Sequence, residues 1–157
     1  MFYGIQKLML MLVLGFMALL AGPATAADMG TADEAKAMCD KAVAEIKADG
    51  REKTFTAIQD AKGAYRMKDL YVFCMDMKGV MLAHGSKPEL VGKNLLEKKD
   101  PDGKALFQEM IKIVQEKNAG WVDYKWPHPE TKVDTAKSSY VQKAGDDLFC
   151  GVGIYKQ

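Results

Sequence analysis

Residues 120–141 read GWVDYKWPHPETKVDTAKSSYV. Trp121, Tyr124 and Trp126 fall within six positions and include both tryptophans of the chain. Strand alternation puts Val122, Tyr124 and Trp126 on one face and Trp121, Asp123 and Lys125 on the other. Pro127-His128-Pro129 turns the chain, and Lys137 to Lys143 reads as the returning strand. A hairpin needs this alternation, but it does not need every tryptophan. Tyr124 and Trp126 bury large areas while keeping an O–H and an N–H that need partners. Apolar walls with a few such groups are what small-molecule pockets are made of. Lys137 and Tyr140, three apart, face opposite sides of an ideal strand, so they converge only if the strand twists or Lys137 sits at the entering turn. From spacing alone, Lys137 reads as well as a solvated surface lysine.

Working outward, Ala144-Gly145-Asp146 makes the next turn and Leu148 to Tyr155 the last strand. Phe149, Gly151, Gly153 and Tyr155 share one of its faces. Aromatic-Gly-Gly-aromatic describes either a hollow with aromatic ends or a place where something packs closely over the backbone. Upstream, Asp100-Pro-Asp-Gly103 opens a helix over about Lys104 to Asn118, stopped by Gly120. Residues 85–96 read as irregular, punctuated by Pro88 and Gly92. Before them, Leu70 to Met75 and Val80 to His84 form a hairpin around Asp76-Met-Lys-Gly79. Thr31-x-x-Glu34 is a capping box starting a helix that carries Ala35, Met38, Cys39, Ala42 and Ile46 at helical spacing. Gly50 interrupts it, and a second piece runs from Arg51 to Asp60. Two helices, two strands, a helix and three strands describe an α+β domain with an antiparallel sheet.

The first 26 residues carry one lysine, Lys7, then an apolar run from Leu8 to Ala21, and end in Ala24-Thr25-Ala26. That is a secretory signal, with residues 27–157 as one exported domain; the alternative is an uncleaved anchor tethering the domain to the membrane. With Lys7 removed, the 22 Lys and Arg become 21, against 21 Asp and Glu. This balance, without a basic stripe, argues against nucleic acid as a partner. Cys39, Cys74 and Cys150 contain no C-x-x-C. Cys74 and Cys150, both in strand-like runs, either bridge in an oxidising compartment or are two small buried apolar residues. Two histidines without ligand spacing argue against zinc. Lys98 at the first position of the nearest calcium-loop match argues against calcium. No nucleophile motif surrounds Ser138 or Ser139, so neither an enzyme nor a cofactor is expected.

In order and spacing, DLYVFCMDMKGVMLAH, LVGKNL, KDPDGK, GWVDYKWPHP, KSSYV and GVGIY resemble the second type of single Cache domain, the extracytoplasmic sensor module of bacterial receptors and kinases. The resemblance covers nearly all of residues 27–157. It implies a PAS-like fold with a five-stranded antiparallel sheet, a long N-terminal helix behind it, and a helix between strands 2 and 3. It also implies a pocket for a small organic anion such as a short carboxylate. Trp121, Tyr124 and Trp126 would form its apolar box, Lys137 and Tyr140 its polar end, and His84 its rim. The expected role is periplasmic sensing, with signal transduction through a membrane receptor, kinase or transporter. The alternative is an envelope interaction protein that keeps the fold without a ligand.

Overall fold

The computed structural model describes residues 29–156, so the signal segment read from residues 1–26 lies outside the described residues. Helix α1 (Ala32–Asp49) begins with the capping box read from the sequence. The Glu34 N–H donates to Thr31 Oγ1 at 3.2 Å, and the Thr31 N–H donates to the Glu34 carboxylate at 2.9 Å. Gly50 ends α1, and α2 (Arg51–Gln59) follows at once. Asp147, before the last strand, accepts both terminal nitrogens of Arg51.

The strands are β1 (Arg66–Met67), β2 (Leu70–Asp76), β3 (Met81–His84), β4 (Ala119–Pro127), β5 (Asp134–Lys143) and β6 (Leu148–Tyr155). All pair antiparallel in the order β1-β2-β6-β5-β4, with β3 also on β2. The fold is therefore α+β and PAS-like, with one strand more than the expected five. The addition, β1, has two residues and is too short to show a pattern. Between β3 and β4 lie a 3-10 turn (Pro88–Leu90) and α3 (Leu106–Lys117).

Period-two alternation divides the core into two layers. Leu70, Val72, Cys74, Cys150 and Val152 meet the apolar stripe of α1, namely Ala35, Met38, Cys39, Ala42, Val43 and Ile46. Phe73, Met75, Phe149, Val141, Val122, Tyr124 and Trp126 meet Leu106, Phe107, Met110 and Val114 of α3. Cys74 and Cys150 are directly opposed across β2 and β6 and are joined by a disulfide on the α1 side. Cys39 lies over this bridge, its thiol 3.5 Å from the Cys150 carbonyl, and burial pushes it up to a pKa of about 12.

Two sequence expectations need correction around α3. Its stop is Asn118, in the left-handed conformation with φ 65°, and Gly120 already belongs to β4. A Cβ on Gly120 would lie 2.7 Å from Ile113 Cγ2, so glycine there lets the helix close on the strand. Nor does Asp100 cap the helix, which starts at Leu106 without a side-chain cap. Its carboxylate instead accepts the N–H groups of Asp102, Lys104 and Lys125, at 2.9 to 3.0 Å. That last contact pins the loop to β4. Burial alone would raise the Asp100 pKa, but these three donors outweigh it and hold the group ionised to lower pH.

Candidate functional site

A row across the sheet sets the site. Tyr124 pairs with Lys137, and Lys137 with Tyr155, so the three side chains stand together on the α3 face. In the next row, Ser139 pairs with Val122 and with Gly153. The glycine makes room for the lysine: a Cβ there would fall 2.2 Å from Lys137 Cε and 2.3 Å from Ser139 Oγ. Gly151 does the same for Phe73, whose Cζ would lie 2.5 Å from its Cβ. Of the two readings of the Gly-Gly face, close approach holds, and what approaches is the site's own lysine and phenylalanine.

Lys137 is 1% exposed. Its Nζ donates to Tyr71 Oη at 2.8 Å and lies 4.1 Å and 4.8 Å from the ring centres of Tyr71 and Tyr155. The two phenol oxygens are 3.2 Å apart, and Tyr155 donates onward to the Pro127 carbonyl. Among the described residues, no carboxylate comes within ion-pair distance of Lys137. Burial lowers its pKa to about 7, with Asp69 at longer range pulling the other way. An ammonium has three donors, and one is committed to Tyr71.

His84, at the end of β3, closes the other side. Its Nδ1 accepts the Ser86 and Lys87 N–H groups at 3.2 Å and 2.8 Å, which leaves Nε2 to carry the proton. Burial, then the charges of Lys137, Lys87 and Arg66, lowers its pKa to about 3, so the ring is a neutral donor. Trp126 lies 6.4 Å from His84, and edge-on to Phe107 at 5.8 Å and Tyr124 at 6.2 Å. Tyr124 shares a 2.7 Å hydrogen bond with Ser139. Burial raises the pKa of all three phenols, so Tyr71, Tyr124 and Tyr155 stay protonated. The chamber enclosed by these groups holds about 10 Å³, the space of one water.

The structure thus brings together four of the six residues expected from the sequence: His84, Tyr124, Trp126 and Lys137. His84 is a buried wall rather than a rim, at 2% exposed. The other two stand apart. Trp121 and Tyr140 are paired in register on the opposite, α1-side face, their rings 5.4 Å apart, with Lys36 over Tyr140. Trp121 is 40% exposed. Neither enters the chamber, because one residue of strand offset reverses the face. Tyr71, Phe73, Met81 and Phe107 line the chamber without having been expected there, and Tyr155 stacks against Lys137 from the edge.

An antiparallel sheet with a helix behind it and a closed aromatic chamber in front, centred on a buried cation, defines a PAS-like sensory module. The comparisons with known proteins agree. A family model described as Cache domain matches residues 31–157, and the chain belongs to that family. The methyl-accepting chemotaxis protein McpP of Pseudomonas putida is 35% identical over 86 residues; these are 55% of this chain, which spans only 16% of that receptor. A periplasmic sensor domain of a chemotaxis protein superposes with a TM-score of 0.65 at 28% identity, covering 80% of this chain and 90% of that one. A methyl-accepting chemotaxis protein from Vibrio parahaemolyticus gives 0.69 at 27% identity over 78% and 86% of the chains. A Cache chemosensory domain, solved for the structural basis of its carboxylic acid recognition, gives 0.64 at 29% identity over 78% and 86%.

Proposed function

We propose that this protein is a periplasmic sensor module that binds a short carboxylic acid, with Lys137 as the anchor for the carboxylate. The observation that carries the reading is a lysine fully buried among aromatic rings, with no counterion in ion-pair reach among the described residues. Such a charge is costly to bury alone, and a carboxylate beside it would form a charge-assisted hydrogen bond. The neutral His84 Nε2–H is the next donor for the second oxygen, while Tyr71, whose own O–H is committed to Tyr155, accepts from the Lys137 ammonium and holds it in place. Phe73, Met81, Phe107 and Trp126 would hold a tail of one or two carbons. The carboxylic acid bound by the related Cache chemosensory domain supports this class of ligand.

The reading is one of binding: Ser139 Oγ is engaged with Tyr124, and His84 Nδ1 with two backbone N–H groups, so these two are not paired as nucleophile and base. Export through the segment at residues 1–26 would place the module where chemoreceptor sensor domains work, and a membrane receptor, kinase or transporter would carry its signal onward. The chamber's small volume favours one competing reading, an envelope interaction protein that keeps the fold without a ligand. A thermal-shift series with C2 to C4 acids separates the two. A ligand at about 100 times its dissociation constant adds roughly 2.7 kcal/mol, whereas a flat series across the acids supports the interaction protein.

A further inference from the structure

Beside the chamber lies a second, larger cavity of about 340 Å³, between Lys87 and Leu90 on one side, Lys98 to Pro101 on another, and Lys125 to Pro127 of β4. Trp126 lines both cavities. On the outer side, Lys87 Nζ and Lys98 Nζ stand 5.9 Å and 5.6 Å from its ring centre. Lys99 is at the same rim. None of these three lysines makes an ion pair with a described residue, whereas Lys125 is neutralised by Asp102 at 3.0 Å. Against the three stand two acids of the cavity, Asp100, whose carboxylate accepts backbone N–H groups, and Asp134, exposed at the start of β5, so the lining keeps an excess of positive charge.

We propose that this outer cavity is the docking site for the carboxylate on its way to Lys137, so that Lys87 and Lys98 load the chamber past Trp126. This rests on the carboxylate reading of the chamber. Lys87 touches both sites: its ammonium faces Trp126 from outside, and its backbone N–H holds His84 Nδ1 inside, at 2.8 Å. An anion drawn to the two ammonium groups takes them off the indole face. That frees Trp126, the one side chain among the described residues that lines both cavities, and pulls on the segment that holds His84. With room for about one water, the chamber admits an acid only as Trp126 and this segment give way. Charge in a cleft raises association rates by roughly 10- to 1000-fold, and salt removes the gain.

The test is stopped-flow binding of acetate and of propionate to the exported protein. Trp121→Phe leaves Trp126 as the sole indole reporter; kinetic calorimetry replaces fluorescence if the signal is silent. In the K87Q/K98Q background, kon at about 10 mM ionic strength is expected to fall roughly 5- to 10-fold. It should converge with the parent near 0.5 M salt, with koff within about twofold. Glutamine keeps the backbone donor to His84, so the chamber stays built. K87E/K98E is expected to be slower still and to speed up with salt. A kon unchanged at low salt, or an equal fall at both salts, overturns the loading role while leaving the chamber's ligand class standing. No binding of either acid to the parent at equilibrium overturns both.

Discussion

Replacing Lys137 by methionine is expected to stabilise the protein while abolishing its recognition of acids. In an unfolded chain the lysine has its ordinary value of 10.5, and burial lowers it to about 7 in the folded chamber. The unfolded state therefore binds more protons between these values, and stability rises with pH across that window. Below pH 7 the mismatch costs about 5 kcal/mol, and above pH 10.5 nothing. Methionine removes this cost, fits the notch over Gly153, and leaves Tyr71 hydrogen-bonded to Tyr155. After the lost lysine contacts, a net gain of roughly 2 to 4 kcal/mol at pH 7 is expected, since apolar replacement of buried charge is often stabilising. For a domain of this size that is about 8 to 15 °C in Tm. Chemical denaturation of both proteins from pH 6.5 to 10, in buffers free of carboxylates, measures it. The gap should narrow as pH rises, because only the parent gains. A Lys137→Met protein that is less stable, or whose gap does not change with pH, would refute the reasoning.

Three further outcomes follow from the same geometry. Gly153→Ala puts a Cβ where Lys137 Cε lies, so calorimetry should show acid affinity falling at least about tenfold while circular dichroism keeps the fold, overpacking costing roughly 1 to 3 kcal/mol. Breaking the Cys74–Cys150 bridge with Cys→Ala at both positions should lower stability by up to about 4 kcal/mol in denaturant titrations, given the 76-residue separation it closes; acid affinity should stay within about twofold, because the bridge lies on the opposite face. Tyr71→Phe should weaken acid binding in a titration, whereas Trp121→Phe and Tyr140→Phe should not.

Strand parity carried much of the site in the sequence. Val122, Tyr124 and Trp126 alternate with polar neighbours, so their common face was legible without a structure. The same parity set Trp121 opposite Tyr124 and Tyr140 opposite Lys137; family resemblance placed them in the box, and the observed register sides with parity. Tyr71 was hidden for another reason. β2 is buried on both faces through Met75, so its sequence lacks an alternation to show which side the tyrosine takes. Only the pairing of Phe73 with Gly151 resolves that, and it joins residues far apart in the chain. Tyr155 was visible as one end of an aromatic-Gly-Gly-aromatic face, but the meaning of the glycines depended on the lysine lying across them. The Lys87–Lys98 cavity brings together loop segments whose meeting depends on Asp100 reaching β4, a contact without a local signature.

The central claim is that Lys137 receives the carboxylate as an ammonium. Calorimetric titration of acetate and propionate at pH 8, in two buffers of different ionisation enthalpy, tests it most directly. With a pKa of about 7 the free chamber is mostly neutral at pH 8, so binding an anion there should take up roughly 0.9 proton, and the observed heat should shift with the buffer accordingly. That uptake is expected in the parent, and neither binding nor uptake in Lys137→Met. Equal affinity in Lys137→Met, or binding to the parent without proton uptake, would contradict it.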